Sequence, residues 1–148
     1  MNYEPMLKIL SRITDDDGEK KMEMTVRAKV SGTETDYTIE YDENLMEDCI
    51  SHTLIRVSDG NLVSVLRSGD LSHEITAEPG KRHICHYSMP FGEIVFGVYG
   101  RTVKSTVGEN GGRLEFEYEI NYPNGFATTN AMTVDICPKG VTEDGQHC

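Results

Sequence analysis

Apolar and polar residues alternate along most of this chain with a period of two. The clearest case is Leu114-Glu-Phe-Glu-Tyr-Glu-Ile-Asn-Tyr122. On a β-strand its apolar side chains would share one face and its Glu and Asn side chains the other, whereas a helix would scatter the apolar ones around its axis. The pattern predicts a half-buried strand with Phe116, Tyr118 and Ile120 on the inner face.

The same alternation predicts further strands along the whole chain. They are Leu7–Thr14, Met22–Val30, Asp36–Tyr41, His52–Ser58, Leu62–Arg67, Leu71–Ala77, His83–Met89, Glu93–Thr106 and Phe126–Ile136. The strand Glu93–Thr106 is too long to be straight, so we expect a bulge or bend at Gly97 or Gly100. A short helix is an alternative before residue 7 and around Glu43–Cys49.

The segments between these strands are short and rich in turn residues. Ser58-Asp-Gly-Asn61 and Glu109-Asn-Gly-Gly112 contain the Asp-Gly and Asn-Gly pairs that tolerate the backbone of tight hairpins. Many strands joined by tight turns pair with their neighbours in antiparallel fashion. The sheet must then hide its apolar face, and it can do so by curling into a barrel or, alternatively, as a two-sheet sandwich. One domain is predicted over residues 1–137, followed by a flexible tail at 138–148.

Charge and composition exclude several classes of partner. The chain has 148 residues, with 14 basic against 25 acidic side chains and a net charge of −11. No cluster of Lys and Arg could neutralise nucleic-acid phosphates or an anionic membrane surface. No apolar run approaches the ~20 residues that span a bilayer, and the N-terminus does not resemble a signal peptide. We therefore expect a cytoplasmic protein that binds neither nucleic acid nor membrane.

Three polar residues form the set of most interest for function, and strand phase places two of them on inward-facing positions. His73 falls in phase with Ile75, and Asn130 falls in phase with Met132; Arg67 ends a predicted strand nearby in sequence. A buried polar group without partners costs roughly 1–3 kcal/mol, so such residues mark either a ligand pocket or a structural hydrogen-bond network. Both interpretations stay open from the sequence.

Tyr87 and the segment His83-Ile-Cys-His86 carry two further hypotheses. With Pro90, Phe91 and Gly92, Tyr87 is predicted to form a rigid corner, with a binding lip as the alternative. His83 and Cys85 would share one strand face, but a metal site needs three or four convergent ligands. No metal site and no cofactor are therefore predicted. Asp15-Asp-Asp-Gly-Glu19 lacks the spacing of a calcium loop and is interpreted as a hairpin turn.

Three short motifs resemble a known bacterial family. They are Arg67-Ser-Gly69, Tyr87-Ser-Met-Pro-Phe-Gly92 and Asn130-Ala-Met-Thr-Val134, and their order and spacing are similar to those of the YwiB-like family. The similarity extends over roughly Met6 to Ile136. It implies a single antiparallel calycin-like (lipocalin-like) β-barrel of about 8–10 strands, a bacterial cytoplasmic setting and no established activity. The resemblance supplies no catalytic residues.

Three functions follow as hypotheses. The first is binding of a small apolar molecule inside the barrel, with Arg67, His73, Tyr87 and Asn130 as candidate ligand-binding residues and with no catalytic residue assigned. The second is a protein-interaction or structural module that forms a homodimer without a ligand. The third is an enzyme that uses His73 or His86 as acid and base, because histidine titrates near neutrality. Fold analogy does not choose among them, since barrels host unrelated functions.

Overall fold

A computed structural model describes residues 1–46, 49–69, 72–89 and 91–137. The predicted tail at 138–148 lies outside the described residues. The strands are β1 (Asn2–Tyr3), β2 (Met6–Asp15), β3 (Gly18–Arg27), β4 (Lys29–Gly32), β5 (Tyr37–Met46), β6 (Cys49–Ser58), β7 (Leu62–Ser68), β8 (Ser72–Ala77), β9 (Arg82–Met89), β10 (Gly92–Ser105), β11 (Gly112–Asn121) and β12 (Ala127–Cys137). In this part of the chain no helix is long and apolar enough to cross a membrane.

Every predicted strand is present, and the two short-helix alternatives are wrong. Asn2 and Tyr3 form a strand, and Glu43 lies within β5. The predicted strand Met22–Val30 is interrupted at Ala28 and divides into β3 and β4. The prediction misplaced the outer ends of β3 and β5 because these ends carry polar residues, so their apolar alternation fades before the backbone pairing stops.

All strands belong to one antiparallel sheet, in the order β1-β4-β5-β6-β7-β8-β9-β10-β11-β12-β2-β3. From β5 to β12 each strand pairs with the next one along the chain, as the tight turns predict. The turn after β6 contains Asp59 and Gly60 with φ angles of 53° and 71°, the left-handed backbone of a tight hairpin. The two-sheet sandwich is therefore not the solution this chain adopts.

The first four strands act as one long hairpin that joins the two ends of this sheet. Its register is continuous, because Asn2 lies opposite Ser31 in β1 and β4, and Met6 lies opposite Arg27 in β2 and β3. In one arm of this hairpin β4 pairs with β5, and in the other arm β2 pairs with β12. The sheet thus curls into a barrel-like fold that is closed where β4 meets β5.

Closure does not extend to the other end of the barrel. Within the described residues β3 has no strand partner other than β2. It carries Glu19, Lys20, Lys21 and Glu23 along this free edge. Charged side chains on an edge strand discourage pairing with other chains.

The interior is a single apolar cluster built by the inward phase of the strands. Phe116, Tyr118 and Ile120 are buried, while Glu117 and Glu119 lie partly exposed on the opposite face of β11, as the alternation predicts. The long strand β10 has an irregular register between Gly100 and Thr102, which confirms the expected bulge at Gly100. This irregularity lets β10 follow the curvature of the sheet.

Candidate functional site

A cavity of about 440 Å³ lies at the end of the barrel where β3 departs from the sheet. Its volume falls in the range of small-molecule sites, roughly 300–1,000 Å³. Most of its wall is aliphatic or aromatic. The wall includes Ile13, Met22, Ile75, Ile94, Phe96, Tyr118, Ile120, Tyr122 and Met132, together with Arg67, His73, Tyr87 and Asn130. The four residues predicted as ligand-binding candidates therefore line one cavity.

Three of these candidates form a row across neighbouring strands. Arg67 on β7 lies opposite His73 on β8, and His73 lies opposite Tyr87 on β9. The His73 and Tyr87 rings stack, with centroids 5.0 Å apart and planes 27° apart. Tyr87 is thus part of the cavity wall as well as part of the segment predicted to form a corner; Pro90 of that corner lies outside the described residues.

Asn130 faces the cavity from the other side of the barrel. It lies opposite Tyr118 in the pairing of β11 with β12 and is buried. Its side-chain nitrogen donates a 2.9 Å hydrogen bond to the hydroxyl of Thr128, two residues earlier on the same strand. The structural hydrogen bond that the sequence left open as an alternative is present, and it leaves the amide facing the cavity.

Arg67 carries the positive charge in the row that it forms with His73 and Tyr87. Its Nη2 lies 3.9 Å from Oε1 of Glu43, which is only 7% exposed. That distance allows an ion pair but exceeds hydrogen-bond length. Buried atoms on both sides, Nε of Arg67 and Oε1 of Glu43, have no hydrogen-bond partner. The pair is therefore only partly satisfied, which is costly in a buried position.

The phenols near Arg67 are uncharged at neutral pH. Burial, together with the adjacent Glu43 carboxylate, raises the pKa of Tyr41 to about 12. Burial also raises the pKa of Tyr118 to about 12, against the opposing effect of the Arg67 charge. Both hydroxyls can donate or accept hydrogen bonds, but neither supplies a negative charge to balance Arg67.

His73 is also neutral near pH 7. Burial, and after it the Arg67 charge, lower its pKa from 6.5 to about 4. The Nδ1 atom of His73 is buried without a hydrogen-bond partner. The ring therefore offers the cavity a hydrogen-bonding group rather than a charge.

The lowered pKa of His73 predicts a loss of stability on acidification. The unfolded chain takes up a proton at this residue below about pH 6.5, but the folded chain does so only near pH 4. The free energy of unfolding should therefore fall between these two values, by about 1–2 kcal/mol because the ring is partly accessible to water. Urea unfolding at several pH values should show a shallower pH dependence in His73→Gln. The control His86→Gln, at an exposed outer position, should keep the wild-type slope; equal slopes in all three proteins would contradict the assignment.

The residues His83, Cys85 and His86 do not come together. Cys85 is buried, His83 contacts Glu78 at 3.0 Å, and His86 is exposed on the outer face beside Glu93. No group of three His, Cys, Asp or Glu side chains able to hold a metal occurs among the described residues. His86 is not among the residues that line the cavity, so it is not a partner of His73 there.

Glu43 and Tyr41, the polar neighbours of Arg67, are not among the site residues predicted from the sequence. A signal for them exists in the chain, since Ile39, Tyr41 and Glu43 alternate in the same phase. A Glu at the third position looks like the start of a polar segment in the sequence, so the predicted strand stops at Tyr41 although β5 continues to Met46. Continuing the period by one step would have placed Glu43 inside the barrel.

Comparison with known proteins agrees with this architecture. The family model described as "Domain of unknown function (DUF1934)" matches residues 7–134. The crystal structure of ywiB protein from Bacillus subtilis is similar, with a TM-score of 0.76 at 23% identity, covering 91% of this chain and 92% of that one. No curated protein matches. Since the family model covers most of its length, the chain belongs to the DUF1934 family, a domain of unknown function.

Proposed function

We propose that this protein binds a small, mostly apolar molecule in the cavity at the open end of the barrel. The observation that carries the proposal is the composition of the cavity wall. A largely aliphatic and aromatic surface is combined with a few convergent polar groups, Arg67, His73, Tyr87 and Asn130. Small-molecule sites have this combination, in which the apolar wall supplies affinity and the polar groups fix orientation.

Unmet hydrogen-bonding capacity supports binding over a purely structural role for these polar groups. A folded protein rarely leaves buried polar atoms unpaired, because each costs roughly 1–3 kcal/mol. Arg67 and His73 each have such an atom, and both side chains line the same cavity. A ligand with a polar end would bring hydrogen-bond partners to two side chains whose surroundings are short of them.

The proposal is tested with the uncharged fluorophore N-phenyl-1-naphthylamine, which brightens in apolar surroundings. Titration into the wild-type protein should give a saturable increase in fluorescence. Ile75→Trp places a larger side chain in the cavity wall, so it should abolish most of that increase by filling the space. Absence of saturable binding to the wild type would refute the proposal.

Ile84→Trp serves as the matched control. Ile84 lies on the neighbouring strand β9, but its side chain points outward and is 63% exposed. This variant makes the same chemical change without entering the cavity, so it should bind the fluorophore like the wild type. Equal binding by both tryptophan variants would place the fluorophore outside the barrel and would contradict the proposal.

A further inference from the structure

We propose that the natural ligand is a monocarboxylate with an apolar tail, and that Arg67 binds its carboxylate. This inference rests on the proposed function, since it names the chemical class of the molecule bound in that cavity. The apolar wall of Phe96, Ile120 and Met132 would hold the tail. The row of Arg67, His73 and Tyr87 would hold the head.

The charge of the cavity wall differs from that of the rest of the protein. The chain as a whole has 25 acidic against 14 basic residues. Among the described residues that line the cavity there is no Asp or Glu, whereas two arginines are present, Arg67 and the more exposed Arg12. A positive, apolar cavity in an acidic protein selects for an anionic ligand by Coulomb attraction.

Arg67 has free capacity for a second carboxylate. Its guanidinium presents five N–H donors in a planar fork that matches the two oxygens of a carboxylate. Glu43 approaches the guanidinium no closer than 3.9 Å, which exceeds hydrogen-bond length, and the Tyr41 hydroxyl is its other polar neighbour. The Arg67 side chain is 30% exposed and lines the cavity, whereas the Glu43 side chain is 7% exposed and does not line it. The accessible side of the guanidinium is therefore the side that faces the cavity.

His73 adds a neutral hydrogen bond at the same place. It lies directly across from Arg67, and its side chain lines the same cavity. A carboxylate held by Arg67 could accept a hydrogen bond from this imidazole. Because the ring is stacked on Tyr87, its orientation is restricted before any ligand binds.

Two ten-carbon molecules that differ only in their head group provide the test, decanoate and decanol. Each is used to displace N-phenyl-1-naphthylamine from the wild-type protein near neutral pH. A hydrogen bond to a charged group contributes enough for decanoate to bind about tenfold more tightly than decanol. Equal affinities would overturn this inference and leave the proposed function standing. Displacement by neither molecule would overturn the inference, and absence of fluorophore binding would overturn the proposed function as well.

Two arginine variants test whether the preference for decanoate over decanol depends on Arg67. Arg67→Met keeps much of the side-chain volume but removes the charge, so decanoate should lose its advantage while decanol binding changes little. The matched control is Arg56→Met, which removes the same charge from the exposed outer face of β6. A preference for decanoate that survives in Arg67→Met would overturn the assignment to this residue.

Glu43→Gln provides a second test that does not depend on the folding of Arg67→Met. Removing the carboxylate 3.9 Å from Arg67 eliminates repulsion of an incoming anion. Decanoate should therefore bind several-fold more tightly to Glu43→Gln than to the wild type, with decanol unchanged. Weaker binding of decanoate to this variant would contradict the proposed geometry.

Discussion

Replacing Phe116 with alanine is expected to lower the free energy of unfolding by about 3–5 kcal/mol, the usual cost of deleting a buried aromatic ring. Phe116 is 2% exposed, lies in the middle of β11 and is stacked against Tyr118 with ring centroids 5.9 Å apart. Its removal would leave a void that the paired strands on both sides of β11 prevent from collapsing. Urea unfolding, followed by circular dichroism, measures the change.

The control for this prediction is the adjacent residue on the other face of the strand. Glu117 has a side chain that is 38% exposed, and its contact with Arg101 is 3.7 Å long. A surface ion pair of this kind contributes about 1 kcal/mol or less, so Glu117→Ala should change stability little. Equal destabilisation by Glu117→Ala and Phe116→Ala would contradict the assignment of Phe116 to the inner face and Glu117 to the outer face of β11.

Adding a single methyl group at Gly100 should cost about 3 kcal/mol, which is the upper part of the range for overpacking a rigid site. A Cβ atom there would overlap the carbonyl oxygen of Glu78 and lie 2.6 Å from its backbone nitrogen. The backbone at this point is fixed, because Gly80 donates a hydrogen bond to the Gly100 carbonyl and Gly100 donates one to Lys81. Gly100→Ala must therefore displace the turn at residues 78–81, which is hydrogen-bonded to the bulge of β10.

Gly97→Ala is the matched variant on the same strand. The three atoms nearest to the Cβ added there all belong to the guanidinium of Arg82, with Nε at 2.6 Å, and that flexible side chain is exposed and can move aside. Gly97→Ala should therefore stay within about 0.5 kcal/mol of the wild type. Thermal or urea unfolding of both variants compares the two sites, and equal losses of stability would show that the turn at Glu78 is not the rigid element.

Much of the candidate site could be predicted because strand phase is a local property. Successive side chains of a strand point to opposite faces, so Asn130 could be placed inside from Met132 and Val134 alone. The same reasoning put His73 on the inner face through Ile75. It did not extend to Glu43, where the apolar signal that reveals the phase ends before the strand does.

The amino-acid sequence by itself determined the class of fold, most strand positions and the face of the side chains in the clearly alternating segments, because these depend on residues two positions apart and on short turns. Only the tertiary structure decided which inward residues meet. The pairing registers of three strands bring Arg67, His73 and Tyr87 into one row. A cavity remains at the end of the barrel where β3 departs from the sheet. Register and curvature depend on contacts between residues far apart in the chain, and these contacts leave no periodic signal in any single segment.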